Sequence, residues 1–440
     1  MEQKLTDPQY LIDAPTYNIV GSKHERMMEI KTDNASINND SIYRLQLKNT
    51  NDWVNLSKSF LEVKFRLLKG ANVALASDDK ATLQNHMLSL FNRATLRVGN
   101  TMVEDINELD LANMFKSLLH YSDDYARSSG SNALFHKDTS TGTAEDLEFA
   151  TTPDEGFTSR KVAYNAGYAT RLDLTSESRY VNCSVKLSEL FGFCGVNKVL
   201  KNCDVVVELF KNDADTCIHT ASLTNVKVDM DRISMWVQVV EPSVETELGL
   251  NSQMANGLKS MFNYPSFSCY TSSTIASASS GRQTFRINTQ AEKPLYCFLM
   301  CRNSAQTQTA NSYVSNVKMS DAHIRVNGTQ FPDQEYSTTI ANNTYSDYSR
   351  VYADLVSYMN KDADYSNGIS VSRNEWSNLH SIFAFDLTSL PENITNSPIS
   401  LEARFTLVSG GDDCVLSACV VSEKEVMVSY RGSSAVVSQE

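Results

Sequence analysis

Ala94-Thr-Leu-Arg-Val-Gly-Asn-Thr-Met-Val-Glu-Asp105 and Ala322-His-Ile-Arg-Val-Asn-Gly-Thr-Gln-Phe-Pro-Asp333 are the two stretches on which the fold turns. In each, alternating residues flank a pair, Gly99-Asn100 or Asn327-Gly328, that accepts the positive backbone angles of a tight hairpin turn. Both read as β-hairpins. Their similarity says that one structural unit is written twice.

The elements that follow keep the same order in both copies. A helical pattern comes first. Leu109 to Tyr125 places Leu111, Phe115, Leu118 and Leu119 on one face, and Tyr348 to Met359 does so with Val351, Leu355 and Tyr358. Next come Val185 to Leu190 and Ala384 to Leu390, each a strand running into a turn. Strand patterns at Val205 to Phe210 and Leu401 to Leu407 follow, then Ile233 to Val237 and Val426 to Tyr430. The offset falls from 228 residues between Arg97 and Arg325 to 193 between Ile233 and Val426, so the first copy carries about 35 extra residues. The polar stretch Ser128 to Gly156 absorbs them, because surface loops tolerate insertion at small entropic cost.

Further strand patterns at Ser41 to Leu47, Phe60 to Leu68 and Val181 to Leu187 make the chain mostly β. Two halves of roughly 200 residues with many short strands fit tandem eight-stranded β-sandwiches, with short helices in the loops. The expected division is an N-terminal arm at 1–40, a first sandwich at 41–240, a connecting segment at 241–262 and a second sandwich at 263–440. In the connecting segment, Val244, Leu248, Leu250 and Met254 suggest a helix that Gly249 and Gly257 weaken.

Composition narrows the function. Lys and Arg total 39 against 52 Asp and Glu, a net charge of -13, and no run of basic residues stands out. Tight general binding to nucleic acid is therefore not expected. No apolar stretch approaches the roughly 20 residues that span a bilayer, so membrane insertion is not expected either. The opening Met-Glu-Gln-Lys-Leu-Thr-Asp-Pro lacks the pattern of a secretory or transit peptide, and no export route is expected. Nine cysteines, at Cys183, Cys194, Cys203, Cys217, Cys269, Cys297, Cys301, Cys414 and Cys419, are scattered through apolar runs and read as buried thiols in a reducing compartment.

No catalytic, cofactor-binding or metal-binding residue emerges. The histidines His24, His86, His120, His136, His219, His323 and His380 are dispersed without metal-ligand spacing. Cys297 and Cys301 share a strand face but lack a second ligand pair, so core packing is the expectation. Nucleophile-elbow, phosphate-loop, zinc-protease and dinucleotide motifs are missing. The acidic pairs Asp123-Asp124 and Asp412-Asp413 could in principle serve a glycosidase, but they sit in turn-like sequence and read as solvated charge. No enzyme and no cofactor are expected.

Four stretches carry a resemblance to a known family: Leu90 to Asp105, Leu118 to Ala126, Leu187 to Cys194 with Lys198 to Asn202, and Arg232 to Pro242. Together with the duplicated layout they resemble the double jelly-roll major capsid proteins of Polinton/Maverick elements, adintoviruses and related viruses, over most of residues 40 to 430. The resemblance implies two tandem eight-stranded jelly-roll β-sandwiches in a structural protein of a virion. It further implies a homotrimer whose six rolls make a pseudo-hexagonal capsomer for an icosahedral shell. The implied partners are neighbouring capsomers and minor or penton capsid proteins, with assembly in the host cytoplasm or nucleus. By the same resemblance, Ser128 to Gly156 and Asn303 to Asn311 would form an outward tower. The alternative is a carbohydrate-binding or adhesive β-sandwich, since jelly rolls also serve as lectins.

Overall fold

The computed structural model describes residues 22–440 apart from 33–36, 49–50, 144–148, 153–155, 161–163, 258, 278, 280, 288–292, 316, 342–343, 358–367, 389, 391–398, 409–411, 432–433 and 440. In the first half, strands β1 (Ser22–Lys31), β2 (Ile42–Leu47), β3 (Trp53–Lys69), β4 (Phe91–Val98), β5 (Thr101–Asn107), β6 (Val181–Lys186), β7 (Val205–Lys211) and β8 (Lys227–Pro242) build two sheets. Their orders are β1-β8-β3-β6 and β2-β7-β4-β5.

The second half repeats this plan. Strands β9 (Lys259–Thr271), β10 (Gly281–Arg286), β11 (Pro294–Asn303), β12 (Met319–Val326), β13 (Thr329–Ser337), β14 (Phe383–Asp386), β15 (Leu401–Leu407) and β16 (Cys414–Arg431) form sheets ordered β9-β16-β11-β14 and β10-β15-β12-β13. Adding eight to every label of the first half yields the second. Every named pairing is antiparallel, and in each half the order is that of a jelly roll. A final strand, β17 (Ser434–Gln439), pairs with β16.

Period-two alternation makes these strands. In β3, Leu61, Val63, Phe65 and Leu67 are fully buried while Phe60, Glu62, Lys64 and Arg66 point the other way. Each buried aliphatic or aromatic side chain stabilises the sandwich by roughly 1.5–3 kcal/mol. The two hairpins share a two-residue loop, with Val98 opposite Thr101 and Val326 opposite Thr329. Gly99 takes φ +60 in the first, and Asn327 and Gly328 take +48 and +89 in the second. Only the second hairpin therefore holds positive angles at both turn positions.

Both long insertions leave the end of the sandwich opposite the hairpins, between β5 and β6 and between β13 and β14. The first carries α1 (Leu109–Phe115), a wider helical turn at Lys116–His120, α2 (Asp123–Arg127) and α3 (Ala166–Thr175). The rolls are joined by α4 (Val244–Ala255), and the second insertion holds α5 (Ser349–Ser357) and α6 (Arg373–Asn378). Ser243 caps α4, its hydroxyl accepting from the Thr246 N–H at 3.3 Å, a contribution of about 1 kcal/mol. Gly257, at φ +80, ends the turn that follows.

Three expectations need correction. Ser22–Lys31, assigned to the arm, is strand β1, paired with β8 from His24 opposite Glu241 to Lys31 opposite Ser234. Residues 1–21 lie outside the described residues. The second roll begins at Lys259, four residues before the expected boundary. The helix expected over Leu109 to Tyr125 breaks at Tyr121, whose backbone is extended and whose ring stacks on Tyr125 with centroids 4.2 Å apart. Of the second expected helix, Tyr358 and Met359 lie outside the described residues.

Candidate assembly interface

The two rolls meet along a seam, and the first roll supplies it with its insertion helix, its hairpin and the turn after β6. All seven residues of α1 are buried. One side of the helix lies over its own sheet. From it, Phe115 stacks on Phe298 of β11 with ring centroids 6.2 Å apart. Nearer the hairpin end, Phe193 stacks on Phe262 at 4.6 Å and meets Tyr264 edge-on at 5.7 Å. The Tyr264 hydroxyl donates to the Val103 carbonyl at 3.1 Å, and the Thr101 hydroxyl to the Val437 carbonyl at 2.7 Å. Gly192 is required here, because a Cβ would stand 2.2 Å from the Pro265 carbonyl oxygen.

At the insertion end the seam is polar. Gln308 of the second roll bonds the Val226 backbone in both directions, at 2.8 and 2.9 Å. Gln84 of the first roll accepts from the Ser312 N–H at 2.9 Å and donates to the Ala310 carbonyl at 3.1 Å. Lys137 pairs with Glu375 at 3.1 Å, and the Tyr313 hydroxyl donates to Asp110 at 2.8 Å. The Asn303 to Asn311 loop thus docks on the first roll at this end.

Burial sets the electrostatics of the seam. It raises the Glu104 carboxyl even though the Phe193 N–H donates to it at 3.0 Å. It pushes the Lys116 ammonium down to about 8, against the attraction of Glu104 and Glu189. Burial also opposes ionisation of Asp138, but Arg171, 2.7 Å away, outweighs it and holds that carboxyl below its ordinary range. Groups desolvated in this way are costly unless each keeps its partner, so the seam tolerates one relative placement of the rolls.

Among the described residues, the equivalent surfaces on the second roll's helix side and the first roll's sheet face are uncovered. Of α5, the counterpart of α1, only Val351 and Leu355 are buried, and Val356 is 40% exposed. On the outward phase of the first roll's β1-β8-β3-β6 sheet, Phe60 stacks on Trp236 with centroids 6.1 Å apart, and both are half-buried. Glu62 braces this pair: it accepts from the Trp236 indole at 2.6 Å, from Arg232 at 2.8 Å and from Asn182 at 2.7 Å. Burial works against the Glu62 carboxylate, yet these donors hold its pKa down. Met27 of β1 is 40% exposed on the same sheet.

Of the residues weighed in the sequence, Asp123 and His120 reach the seam, through Ser370 and Phe267 of the second roll. All nine cysteines are buried and free, with Cys297 and Cys301 fully inside the second roll. No group of His, Cys, Asp and Glu suited to a metal occurs among the described residues. His86, His219, His323 and His380 are buried. Asp123 is held by Lys137 at 3.0 Å and by the Ser370 hydroxyl at 2.8 Å, and Asp413 accepts from the Ser277 N–H at 2.8 Å. Apart from Phe115, placed on an apolar helix face, the sequence does not mark the seam aromatics or the Phe60–Trp236 stack. A signal existed for Phe60, an aromatic residue on the polar phase of an alternating strand.

Two jelly rolls in one chain, fixed to each other by an extensive seam, define a double jelly-roll protein. The double jelly roll-like domain family matches residues 155–422, more than half of the chain, and the chain belongs to that family. Among solved structures, a chain of the Sputnik virophage structure is similar at 12% identity and TM-score 0.59, covering 98% of this chain and 92% of that one. The mavirus major capsid protein is similar at 12% identity and TM-score 0.54, covering 100% and 96%. A chain of the PBCV-1 virus capsid is similar at 10% identity and TM-score 0.53, covering 97% and 98%. At such identities the likeness is one of fold. No curated protein sequence matches. No helix among the described residues is long and apolar enough to cross a membrane.

Proposed function

We propose that this chain is the major capsid protein of an icosahedral DNA virus or virus-like element, a structural subunit that forms homotrimers and has no catalytic role. The observation that carries the reading is the seam with its two open counterparts. Within one chain, the helix and hairpin side of the first roll packs against the β9-β16-β11 face of the second. Among the described residues nothing covers the same helix and hairpin side of the second roll, or the corresponding sheet face of the first with its Phe60–Trp236 stack. A contact between unlike surfaces repeats head to tail, and it closes when the rotation allows. Three chains of two rolls make a pseudo-hexagonal ring.

In that ring the rolls stand side by side with the hairpins at one end and the insertions at the other. The insertions, including the described part of Ser128 to Gly156, form the outward tower. Neighbouring rings, and minor or penton capsid proteins at special positions, are the partners, and the virion is the location. The fold similarity to the virophage, mavirus and PBCV-1 structures supports this reading. With its net charge of -13, the protein leaves genome condensation to basic partners.

Light scattering coupled to size exclusion, followed by electron microscopy of the full chain, tests the proposal. Three times the mass of one chain and pseudo-hexagonal particles are expected. A monomer at all concentrations up to those of assembly would overturn it.

A further inference from the structure

We propose that a cavity of about 560 Å3 on the second roll, lined by Arg286, Arg325, Gly328, Ser400, Glu402 and Arg404, binds a compact oligophosphate anion. The sheet register builds it: Glu402 of β15 stands opposite Arg286 of β10 on one side and Arg325 of β12 on the other. Arg404, two residues along β15 on the same face, donates from Nε to the Glu402 carboxylate at 2.7 Å. That single acid is thereby engaged. Among the described residues Arg286 and Arg325 have no carboxylate partner, and the Arg325 Nε is buried with no hydrogen-bond partner at all. Three guanidinium groups face one carboxylate, which leaves two positive charges in a chain whose net charge is -13.

The jelly roll does not require this cluster. At the same register of the first roll, Val206 stands between Gln46 and Arg97, so one arginine suffices there. Three like charges repel one another and add nothing to the core. What they do supply is a set of planar donor forks, the geometry that matches phosphate oxygens. The cavity has no aromatic or aliphatic side chain in its lining, which disfavours an apolar ligand or a sugar stacked on a ring. A long polyanion would meet the repulsion of the rest of the chain, whereas a small anion carrying two or three phosphates neutralises the site locally. Four residues along β10 from Arg286, Arg282 is already paired with Glu335, so the excess charge is confined to the cavity.

Calorimetric titration of the full chain with inorganic triphosphate, at low salt and without divalent cations, tests the site independently of assembly. Saturable binding at one site per chain is expected. Arg325→Gln should weaken it about tenfold or more, the value of one charge-assisted pair. Glu402→Gln should strengthen it, because the competing carboxylate is removed, and a gain of affinity cannot come from misfolding. Arg282→Gln, outside the cavity, should leave it within about twofold. No saturable binding by the unmodified chain, equal or lower affinity in Glu402→Gln, or tighter binding of duplex DNA than of triphosphate would each overturn the proposal.

Discussion

The helices α1 and α5 occupy the same place in the two rolls, yet every residue of α1 is buried while α5 buries only Val351 and Leu355. Each helix lies on its own roll. The difference is what lies on the far side: for α1 it is the second roll, with Phe298 against Phe115, and for α5 it is none of the described residues. Composition follows the surroundings. Leu-Asp-Leu-Ala-Asn-Met-Phe is apolar on more than one face, whereas Ser-Arg-Val-Tyr-Ala-Asp-Leu-Val-Ser keeps one apolar stripe and a charged back. The duplicated plan therefore sets the position of each helix, and the neighbour sets its exposure. Val356, apolar and 40% exposed on α5, departs from that pattern, and a neighbouring copy would account for it.

The largest effect should come from the closed side of this comparison. Phe115→Ala removes a fully buried ring from the seam and should cost about 3–5 kcal/mol in denaturant unfolding of the unassembled chain. A cost under about 1 kcal/mol, within the range of a surface change, would mean that the two rolls do not stabilise each other through α1.

A smaller effect tests the electrostatics of the buried side. Burial pushes His86 down to about 3, and it pushes His219 and His380 down to about 4. A base whose pKa is lower in the folded chain stays neutral there while the unfolded chain takes up a proton. Its stabilising contribution is thus complete above pH 6.5 and is lost as the pH falls toward the folded value. Glu104 and Asp110, raised by burial, act in the opposite direction, since the folded chain protonates them first. Comparing His86→Asn with the unmodified chain isolates the histidine. Between pH 6 and 4, the slope of unfolding free energy against pH should be shallower in the variant by up to about 1.4 kcal/mol per unit. Identical slopes would place His86 in contact with solvent.

How much of this was legible in the sequence depends on the range of the interaction. The hairpins at Gly99 and Asn327 and the outlines of both helices were readable, because turn chemistry and apolar spacing are local. Strand β1 was not. Its Glu25, Glu29 and Lys31 lie on one phase and only Met28 and Ile30 on the other pack on the core, so its strand state comes from pairing with β8. The break at Tyr121 was hidden for a similar reason, since the extended backbone there accompanies packing and not a turn residue. Of the seam, almost nothing could be read: Phe193 and Phe262 stack across 69 positions of sequence, and no periodicity marks such a pair. The arginine cavity is hidden in the same way, because Arg286, Arg325 and Arg404 meet only through the register of three strands.

The smallest effect on the single chain is also the sharpest test of the comparison. Val356→Lys places a charge on the bare side of α5, one residue from its last position, where a cation suits the helix dipole. Lysine also has the higher helix propensity, so unfolding of the unassembled chain should change by less than about 0.5 kcal/mol. If α5 meets the Phe60–Trp236 face of a second copy as α1 meets the second roll, the same substitution buries an unpaired ammonium at every contact in the ring. Light scattering should then find the trimer lost while the melting temperature of the chain is retained. A trimer that forms as readily as before would place the contact between copies elsewhere, and the likeness between the seam and the ring would fail at α5.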